Sequence, residues 1–210
     1  MELEILSVTP DPQKIIEQAG RTCYQSADKI TGSSNEGFIR KLIKAGHLSV
    51  LEHAVVTFRM KDVSRALTHQ LVRHRLCSFS QQSQRYVNED DFSYVIPSEI
   101  EKSPEIKDIF VECMEYLNNI YRKLIDCGIR KEDARYVLPN SCNTEIVFSC
   151  NFRQLRHILL LRGSAKAQGE IREVFIEILE KMKDIAPDCF FDFSIDKERR
   201  VIQLDKTKEM

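Results

Sequence analysis

The sequence predicts an α+β fold: a single domain over residues 1–210 in which a mixed or antiparallel sheet packs against long helices. The length of 210 residues lies in the single-domain range and is enough to bury a core. The composition, 42% hydrophobic and 30% charged, is typical of a globular protein. Segments that alternate apolar and polar residues lie among segments with helical spacing, without an internal repeat or a linker.

The first third of the chain predicts two strands and two helices. Residues 2–8 (ELEILSV) alternate and are expected to form a strand, and a short helix follows over residues 12–19. The polar, turn-rich residues 25–37 are expected to form a flexible loop before a helix over residues 36–44. Alternation returns in residues 54–60 (AVVTFRM) and predicts the second strand.

The middle of the chain predicts its best-defined helix. Residues 63–76 have helical spacing, residues 78–84 are expected to be irregular, and residues 92–97 (FSYVIP) predict a short strand. The helix over residues 104–127 is indicated by the capping residue Ser103, a proline at the first helical position and a broad apolar face.

The last part of the chain predicts one more strand among three helices. A short helix is expected over residues 131–138 and a strand over residues 144–150. Two helices, residues 151–162 and 165–186, follow and are separated by Gly163.

An acid-free basic segment lies within a chain of balanced charge. Lys and Arg number 31 and Asp and Glu 32, a net charge of −1 that argues against a general nucleic-acid binder. Yet residues 63–88 contain no Asp or Glu, and residues 73–86 read RHRLCSFSQQSQRY. Gln70, Arg73 and His74 are expected to share one helix face there. Arginine offers two parallel donors to phosphate oxygens, and the glycine-rich motifs GxGxxG and GxxxxGK[ST] do not occur, so the segment predicts a site for one phosphorylated small molecule.

Three other polar clusters compete for this role: GHLSVLEH (residues 46–53), DARYVLP (residues 133–139) and NFRQLRHILLLRGS (residues 151–164). In the last cluster, Arg156 is expected on a solvated face or in a surface ion pair. Arg162 differs, because it follows an apolar run and precedes a glycine at an abrupt helix end. His157 is either a structural residue or a ligand contact, and Glu52 and His53 are either a simple ion pair or part of a site.

Seven cysteines without a CxxC pair predict unpaired, buried thiols in a reducing cytoplasm and no metal site. No run of eighteen apolar residues occurs, and the first residues (MELEILSVTP) lack a basic head with a long apolar segment. The chain is therefore expected to be neither bound in a membrane nor exported. Composition and spacing alone do not name a reaction.

The segment RHRLCSFSQQS resembles the signature of the flavin-dependent thymidylate synthases, which reads RHRxxSxNExSxRY in its longer form. Two positions depart from it: Ser80 replaces the usual Asn and Gln81 the usual Glu. Four further features resemble the family in the same order: GHLSVLEH resembles GHxTxxEH, Gln70 stands three residues before RHR, DARYVLP resembles ARxxLP, and NFRQLRHILLLR resembles NxRxxxxFxxxR. On this joint match over residues 45–190 the chain is identified as similar to that family.

The resemblance implies a reductive methylation of dUMP to dTMP. In this family 5,10-methylenetetrahydrofolate supplies the one-carbon unit, and NADPH supplies reducing equivalents through bound FAD. The resemblance also implies a homotetramer with active sites shared between subunits, in which the helix over residues 104–127 has a second face for a partner. No cysteine nucleophile is required, although the sequence alone leaves Cys142 open.

The resemblance also implies roles for individual positions. Arg162 is expected to be catalytic, because a guanidinium cannot act as a base but can stabilise negative charge on the N3/O4 edge of uracil. The residues expected to bind dUMP are Gln70, Arg73, Ser83, Gln84, Arg85, Arg135 and Arg162. The residues expected to contact FAD are Ser49, Arg73, His74, Arg75, Gln81, Asn151, Arg153 and His157. Glu52 and His53 are expected to shape the turn beside the flavin.

Two alternatives stay open at this point. Residues 63–88 could form a basic stripe of a nucleic-acid-binding module, which would bind in a strongly salt-dependent manner and carry no flavin. A family member that binds flavin but has lost or altered methylation is the second alternative, since Gln81 replaces a carboxylate with a neutral amide.

Overall fold

A computed structural model describes residues 1–205 of the chain and has the α+β architecture that the sequence predicts. Four strands form one sheet in the order β1-β2-β4-β3: β1 (Glu2–Val8), β2 (Val55–Ser64), β3 (Ser78–Gln81) and β4 (Asn143–Asn151). A second, two-stranded antiparallel sheet pairs β5 (Phe193–Asp196) with β6 (Val201–Leu204), and Phe193 lies opposite Leu204. The predicted domain includes residues 206–210, which lie outside the described residues.

Eight α-helices occur in the described part of the chain: α1 (Pro12–Cys23), α2 (Ser34–Lys44), α3 (Arg65–Leu71), α4 (Ser98–Glu101), α5 (Pro104–Asp126), α6 (Lys131–Ala134), α7 (Phe152–Arg162) and α8 (Gly169–Ile185). The expected capping of α5 is confirmed, because Ser103 Oγ accepts a hydrogen bond from the backbone N–H of Ile106 at 3.4 Å. Gly128 follows α5 with a φ of 81°, the left-handed conformation that suits glycine. None of the described helices is long and apolar enough to cross a membrane.

The chain divides into two compact units. Among the described residues, the first unit comprises residues 1–2, 59–73 and 79–147, and the second unit comprises residues 3–58, 74–78 and 148–205. The single-domain organisation stays a prediction.

Each unit has its own apolar core. In the second unit, the rings of Phe58 and Phe148 stack with centroids 5.2 Å apart, and Phe175 of α8 lies 6.4 Å from Phe148. In the first unit, buried Met114 and Cys142 pack with aromatic residues of the segment before α4.

The predicted helix over residues 63–76 is shorter than expected and begins later. Strand β2 continues through Ser64, whose Oγ accepts a hydrogen bond from the N–H of Leu67 at 3.0 Å and so caps α3. The helix ends at Leu71, so Arg73 and His74 lie beyond it. The expectation that these two residues share one helix face with Gln70 is therefore wrong.

Other boundaries also differ from the predictions. Helix α2 begins inside the expected loop, α1 extends to Cys23, and α8 begins only at Gly169. Residues 78–81, expected to be irregular, form β3. Their side chains show little apolar periodicity, but pairing with the neighbouring strand β4 satisfies their backbone hydrogen-bonding groups. Residues 92–97 form no strand and contribute only an isolated bridge between Tyr94 and Cys142.

Candidate active site

The start of α7 carries three of the predicted FAD contacts within the second unit. Strand β4 runs directly into α7, and Asn151 Oδ1 caps the helix by accepting a hydrogen bond from the N–H of Gln154 at 2.8 Å. Arg153 and His157 follow at a spacing of four residues, which places them on one helix face. Arg153 Nη1 donates to Glu52 Oε1 at 2.5 Å. The sequence left open an ion pair between Glu52 and His53; in the structure Glu52 pairs with Arg153.

A cavity of about 930 Å³ lies in the second unit beside this helix face. Asn151, Arg153, His157 and Glu52 line it, together with apolar side chains of which Leu76 and Leu160 are examples. A lining of apolar side chains with a small number of polar and charged groups is the usual composition of a cofactor pocket. Ser49 and Arg75, also predicted to contact FAD, are exposed and are not among the lining residues.

Arg156 is buried, so the prediction that it lies on a solvated face or in a surface ion pair is wrong. The residue is only 8% exposed, and its guanidinium donates two hydrogen bonds to the Asp192 carboxylate, at 2.7 and 2.6 Å. A third bond, at 2.6 Å, goes to the backbone carbonyl of Cys189, and the guanidinium lies 4.7 Å from the ring centroid of Phe193. Arg156 is thus a buried, bidentate partner in the wall of the cavity and not a surface residue, because the segment before β5 covers it.

Arg162, the predicted catalytic residue, lies at the last position of α7. Its Nε donates to His74 Nε2 at 2.9 Å, and the rings of His74 and His157 meet edge to face with centroids 6.2 Å apart. A Cβ at Gly163 would lie 2.5 Å from Ile202 of β6, so only glycine permits this close approach directly after Arg162. The second unit therefore brings together the predicted uracil contact and two predicted FAD contacts.

Burial is the largest of three causes that lower the pKa of His74, from 6.5 to about 4; the charges of Arg162 and His157 are the other two. His74 is 6% exposed, and a neutral imidazole is required for Nε2 to accept the Arg162 hydrogen bond. At neutral pH the pair is therefore a guanidinium that donates to a neutral imidazole.

The depressed pKa of His74 predicts a titration midpoint near pH 4, which NMR of labelled histidine can measure and which the His74→Gln variant assigns. The unfolded chain binds this proton with the ordinary pKa of 6.5, so it holds more protons than the folded chain between pH 6.5 and about 4. The contribution of His74 to the free energy of unfolding should therefore decrease as the pH falls through this window. A midpoint near 6.5 would contradict the prediction.

In the first unit two of the predicted dUMP arginines, Arg85 and Arg135, contact the same acidic residue. Arg85 Nη2 donates to Glu132 Oε2 at 3.0 Å, and Arg135 Nε donates to the backbone carbonyl of Glu132 at 3.1 Å. Ser83 Oγ accepts a hydrogen bond from the N–H of Arg85 at 3.3 Å, which places it beside these residues. Glu132 is thus the ion-pair partner of Arg85.

Other predicted contacts of the first unit lie on α3, on β3 and directly after these two elements. Gln70 Nε2 donates to the carbonyl of Ala66 at 3.3 Å, in its own helix, and Arg73 is exposed. Gln84 Nε2 is buried without a hydrogen-bond partner among the described residues. Gln81 Nε2 donates to Thr68 Oγ1 at 2.8 Å and to Thr144 Oγ1 at 3.4 Å, so the amide that replaces the usual Glu is held between two hydroxyl groups.

The cysteines follow the prediction only in part. All seven are unpaired, but Cys23, Cys113 and Cys127 are exposed rather than buried. Cys142 is completely buried, and burial, with a smaller contribution from the charge of Glu89, raises its pKa to about 12. A thiol with this pKa is not a thiolate near neutral pH, which argues against Cys142 as a nucleophile. Within residues 1–205, no group of three or more His, Cys, Asp or Glu side chains has the arrangement of a metal site.

Sequence reasoning missed several residues that line the cavity, among them Lys44, Gln154, Phe191 and Asp192. No local motif marks them, because they come from α2, α7 and the segment before β5 and meet only in the folded chain. The apolar run at residues 189–191, which precedes Asp192, was the one available signal that this acid would be buried.

Comparisons with known proteins agree with one another. The sequence family described as Thymidylate synthase complementing protein matches residues 4–188. A flavin-dependent thymidylate synthase of Geobacter sulfurreducens is 42% identical over 200 residues, which cover 91% of this chain and 86% of that protein. The enzyme of the same name from Clostridium tetani is 39% identical over 212 residues, 90% of this chain and 85% of that protein.

Two solved structures have similar folds. Thymidylate Synthase X from Helicobacter pylori, crystallised with FAD and dUMP, is 27% identical with a TM-score of 0.74 and covers 90% of this chain and 99% of its own. The UMP/dUMP methylase PolB from Streptomyces cacaoi, bound with 5-Br dUMP, is 25% identical with a TM-score of 0.78 and covers 90% of this chain and 93% of its own.

Proposed function

Because this chain belongs to the flavin-dependent thymidylate synthase family, we propose that it converts dUMP to dTMP with 5,10-methylenetetrahydrofolate as one-carbon donor and NADPH as reductant. The observation that carries the proposal is the contact between Arg162 and His74, with His157 beside them. This contact joins the residue expected at uracil with two residues expected at FAD. The names and bound ligands of the relatives support the same reaction.

FAD fits the residues that line the cavity of the second unit. The volume of about 930 Å³ suits a ligand of this size, and Arg153 supplies a cation for its diphosphate. Asn151 and His157 would orient the cofactor, and the apolar side chains Leu76 and Leu160 would exclude water from it. When bound, the flavin supplies the hydride chemistry of the reaction.

The dUMP phosphate is assigned to the first unit. Arg85 and Arg135 provide charge-assisted donors, and Ser83 adds a hydroxyl group. A phosphate dianion would compete with the Glu132 carboxylate for Arg85, because the dianion offers more acceptor oxygens to the planar guanidinium. The proposed dUMP site also includes Gln70, Arg73 and Gln84. The proposed FAD site also includes Ser49, Arg73, Arg75 and Gln81.

Arg162 acts on the uracil ring as a donor and not as a base. Its guanidinium stabilises negative charge that develops on the N3/O4 edge while the ring carbon reacts. His74 accepts a hydrogen bond from Nε and so holds the plane of the guanidinium in one orientation. Burial and the raised pKa of Cys142 support activation of the ring without this thiol.

The further partners and the location of the chain are part of the proposal. The family implies a homotetramer with shared active sites, and the exposed Ile109 and Tyr116 on α5 support a second packing face there. Seven unpaired cysteines support a cytoplasmic location. The net charge of −1 supports small-molecule ligands over nucleic acid.

An absorption spectrum of the purified chain, loaded with FAD and then mixed with dUMP, tests the proposal. We expect a flavin band that shifts on addition of dUMP, and formation of dTMP once methylenetetrahydrofolate and NADPH are present. A chain that takes up no FAD and binds no dUMP in calorimetry would overturn the proposal. Flavin binding without dTMP formation would favour the alternative suggested by Gln81, a member with lost or altered methylation. Parallel assays with UMP are informative, since one relative is a UMP/dUMP methylase.

Arg85→Ala is expected to weaken dUMP binding roughly 10- to 150-fold, because a charge-assisted contact to the phosphate is lost. Calorimetric titration with dUMP measures the effect. Arg130→Ala is a matched control, since Arg130 also donates to the Glu132 carboxylate, at 3.3 Å, and is not a predicted ligand contact. Equal losses of affinity in the two variants would contradict a specific role for Arg85.

A further inference from the structure

The segment between β3 and α4 carries three of the proposed dUMP contacts, Ser83, Gln84 and Arg85, and lacks regular secondary structure. Its turn is closed by hydrogen bonds to the carbonyl of Ser83 from the N–H of Val87 at 3.0 Å and of Tyr86 at 3.3 Å. These local bonds shape the turn. They do not determine where the turn lies relative to the rest of the first unit.

Arg65, the first residue of α3, contacts the start of this segment. Its Nη2 donates to the backbone carbonyl of Gln82 at 2.6 Å, and the N–H of Gln82 donates to the carbonyl of Glu145 in β4 at 2.9 Å. Arg65 itself is held at a strand-to-helix junction, where its N–H donates to the carbonyl of Cys142 at 3.0 Å. The guanidinium therefore ties the turn to rigid elements.

Glu89 lies beyond the other end of the turn and contacts Gln82 at its start. It is 6% exposed, and its Oε1 accepts a hydrogen bond from Gln82 Nε2 at 3.1 Å. Burial raises the pKa of this carboxylate. The positive charge of Arg65 is the largest of the interactions that oppose this effect. Gln82 and Glu89, at the two ends of the turn, thus share Arg65 as a common partner.

We propose that Arg65, Gln82 and Glu89 form a positioning clamp that holds residues 83–87 in the conformation that receives the dUMP phosphate. The inference rests on the proposed function, since it names residues that support the proposed phosphate contacts without touching the ligand. A buried carboxylate and a half-buried guanidinium would be costly if they only filled space, and their side-chain hydrogen bonds to Gln82 connect them to the two ends of one turn. Preorganisation of this kind lowers the entropy that a loop loses when a ligand binds.

Arg65→Met tests the clamp, with Arg122→Met as the matched control. Arg122 belongs to the same unit and makes equivalent contacts just beyond the turn, donating to the carbonyl of Asp90 at 2.5 Å and to Asp91 Oδ1 at 3.1 Å. We expect Arg65→Met to raise the Kd and the KM for dUMP roughly tenfold and to change kcat at saturating dUMP less than about threefold. Amide hydrogen exchange should accelerate in residues 83–87 and stay unchanged in α8. Arg122→Met should leave all of these quantities near those of the unmodified chain.

Unchanged exchange in residues 83–87 of Arg65→Met, or a loss of kcat without a change of KM, would overturn the clamp. If that variant does not fold, Glu89→Gln serves instead, because its amide oxygen still accepts from Gln82 while the attraction to Arg65 is lost. The same exchange and KM results are then expected, and their absence overturns the proposal. A chain that never binds dUMP would refute the proposed function separately, since the exchange measurement needs no ligand.

Discussion

Arg162→Lys is expected to lower kcat for dTMP formation roughly 100- to 1000-fold, the usual effect of removing a preorganised donor to developing negative charge. The guanidinium combines a hydrogen bond to His74 through Nε with a planar set of other donors. An ammonium group has no planar fork and cannot hold the same orientation at both partners. Single-turnover kinetics with the FAD-loaded chain measures the effect on the chemical step.

The flavin absorbance of Arg162→Lys should remain, because the cavity that we assign to FAD is lined by other residues. Arg200→Lys is the matched control, since Arg200 lies in the same unit and pairs with Glu173 at the surface. A wild-type kcat in Arg162→Lys would show that the guanidinium is not used in the transition state. Loss of flavin from Arg162→Lys would instead indicate a structural role.

Asp192→Asn is expected to lower the free energy of unfolding by about 3–5 kcal/mol, because it leaves the Arg156 charge buried without its anionic partner. Both side chains of this pair are at least nine-tenths covered, with exposures of 10% and 7%. Urea denaturation should show a lower midpoint with an unchanged slope. In Arg156→Met/Asp192→Leu, which removes both charges, much of the lost stability should return.

The surface pair of Arg200 with Glu173 again provides the comparison. Glu173→Gln should change the free energy of unfolding by at most about 1 kcal/mol, as exposed ion pairs usually do. If Asp192→Asn behaves like Glu173→Gln, the Arg156 pair is not buried in solution as it is in the structure. FAD binding by Asp192→Asn is a second measurement, because Arg156 and Asp192 both line the cavity that we assign to FAD.

Much of the fold could be predicted because the signals are local. Helix α5 was predicted from its cap, its proline and its apolar face, and β2 and β4 from alternation. The sheet of β5 and β6 was not predicted, since its two strands are only four residues long. Strand β3 was missed because its sequence, SFSQ, is mostly polar and is stabilised by pairing with a neighbouring strand.

The family was identified from the sequence because several of its motifs occur in this chain in the family's order and approximate spacing, and the comparisons confirm it. The motifs could not reveal contacts between distant parts of the chain. His74 and Arg162 are 88 positions apart, and only folding brings them into a hydrogen bond. The same is true of Arg65 and Gln82, 17 positions apart and on different elements.

By itself, the sequence determined the fold class, the family and the set of basic residues available to an anionic ligand, because periodicity, capping and motif spacing are local properties of the chain. Tertiary structure alone decided the state of those residues. It buried Arg156 against Asp192, placed His74 where burial keeps its imidazole neutral, and brought the Arg65 guanidinium to the carbonyl of Gln82, directly before the 83–87 turn. The physical reason is that desolvation and charge pairing depend on neighbours that are distant in sequence.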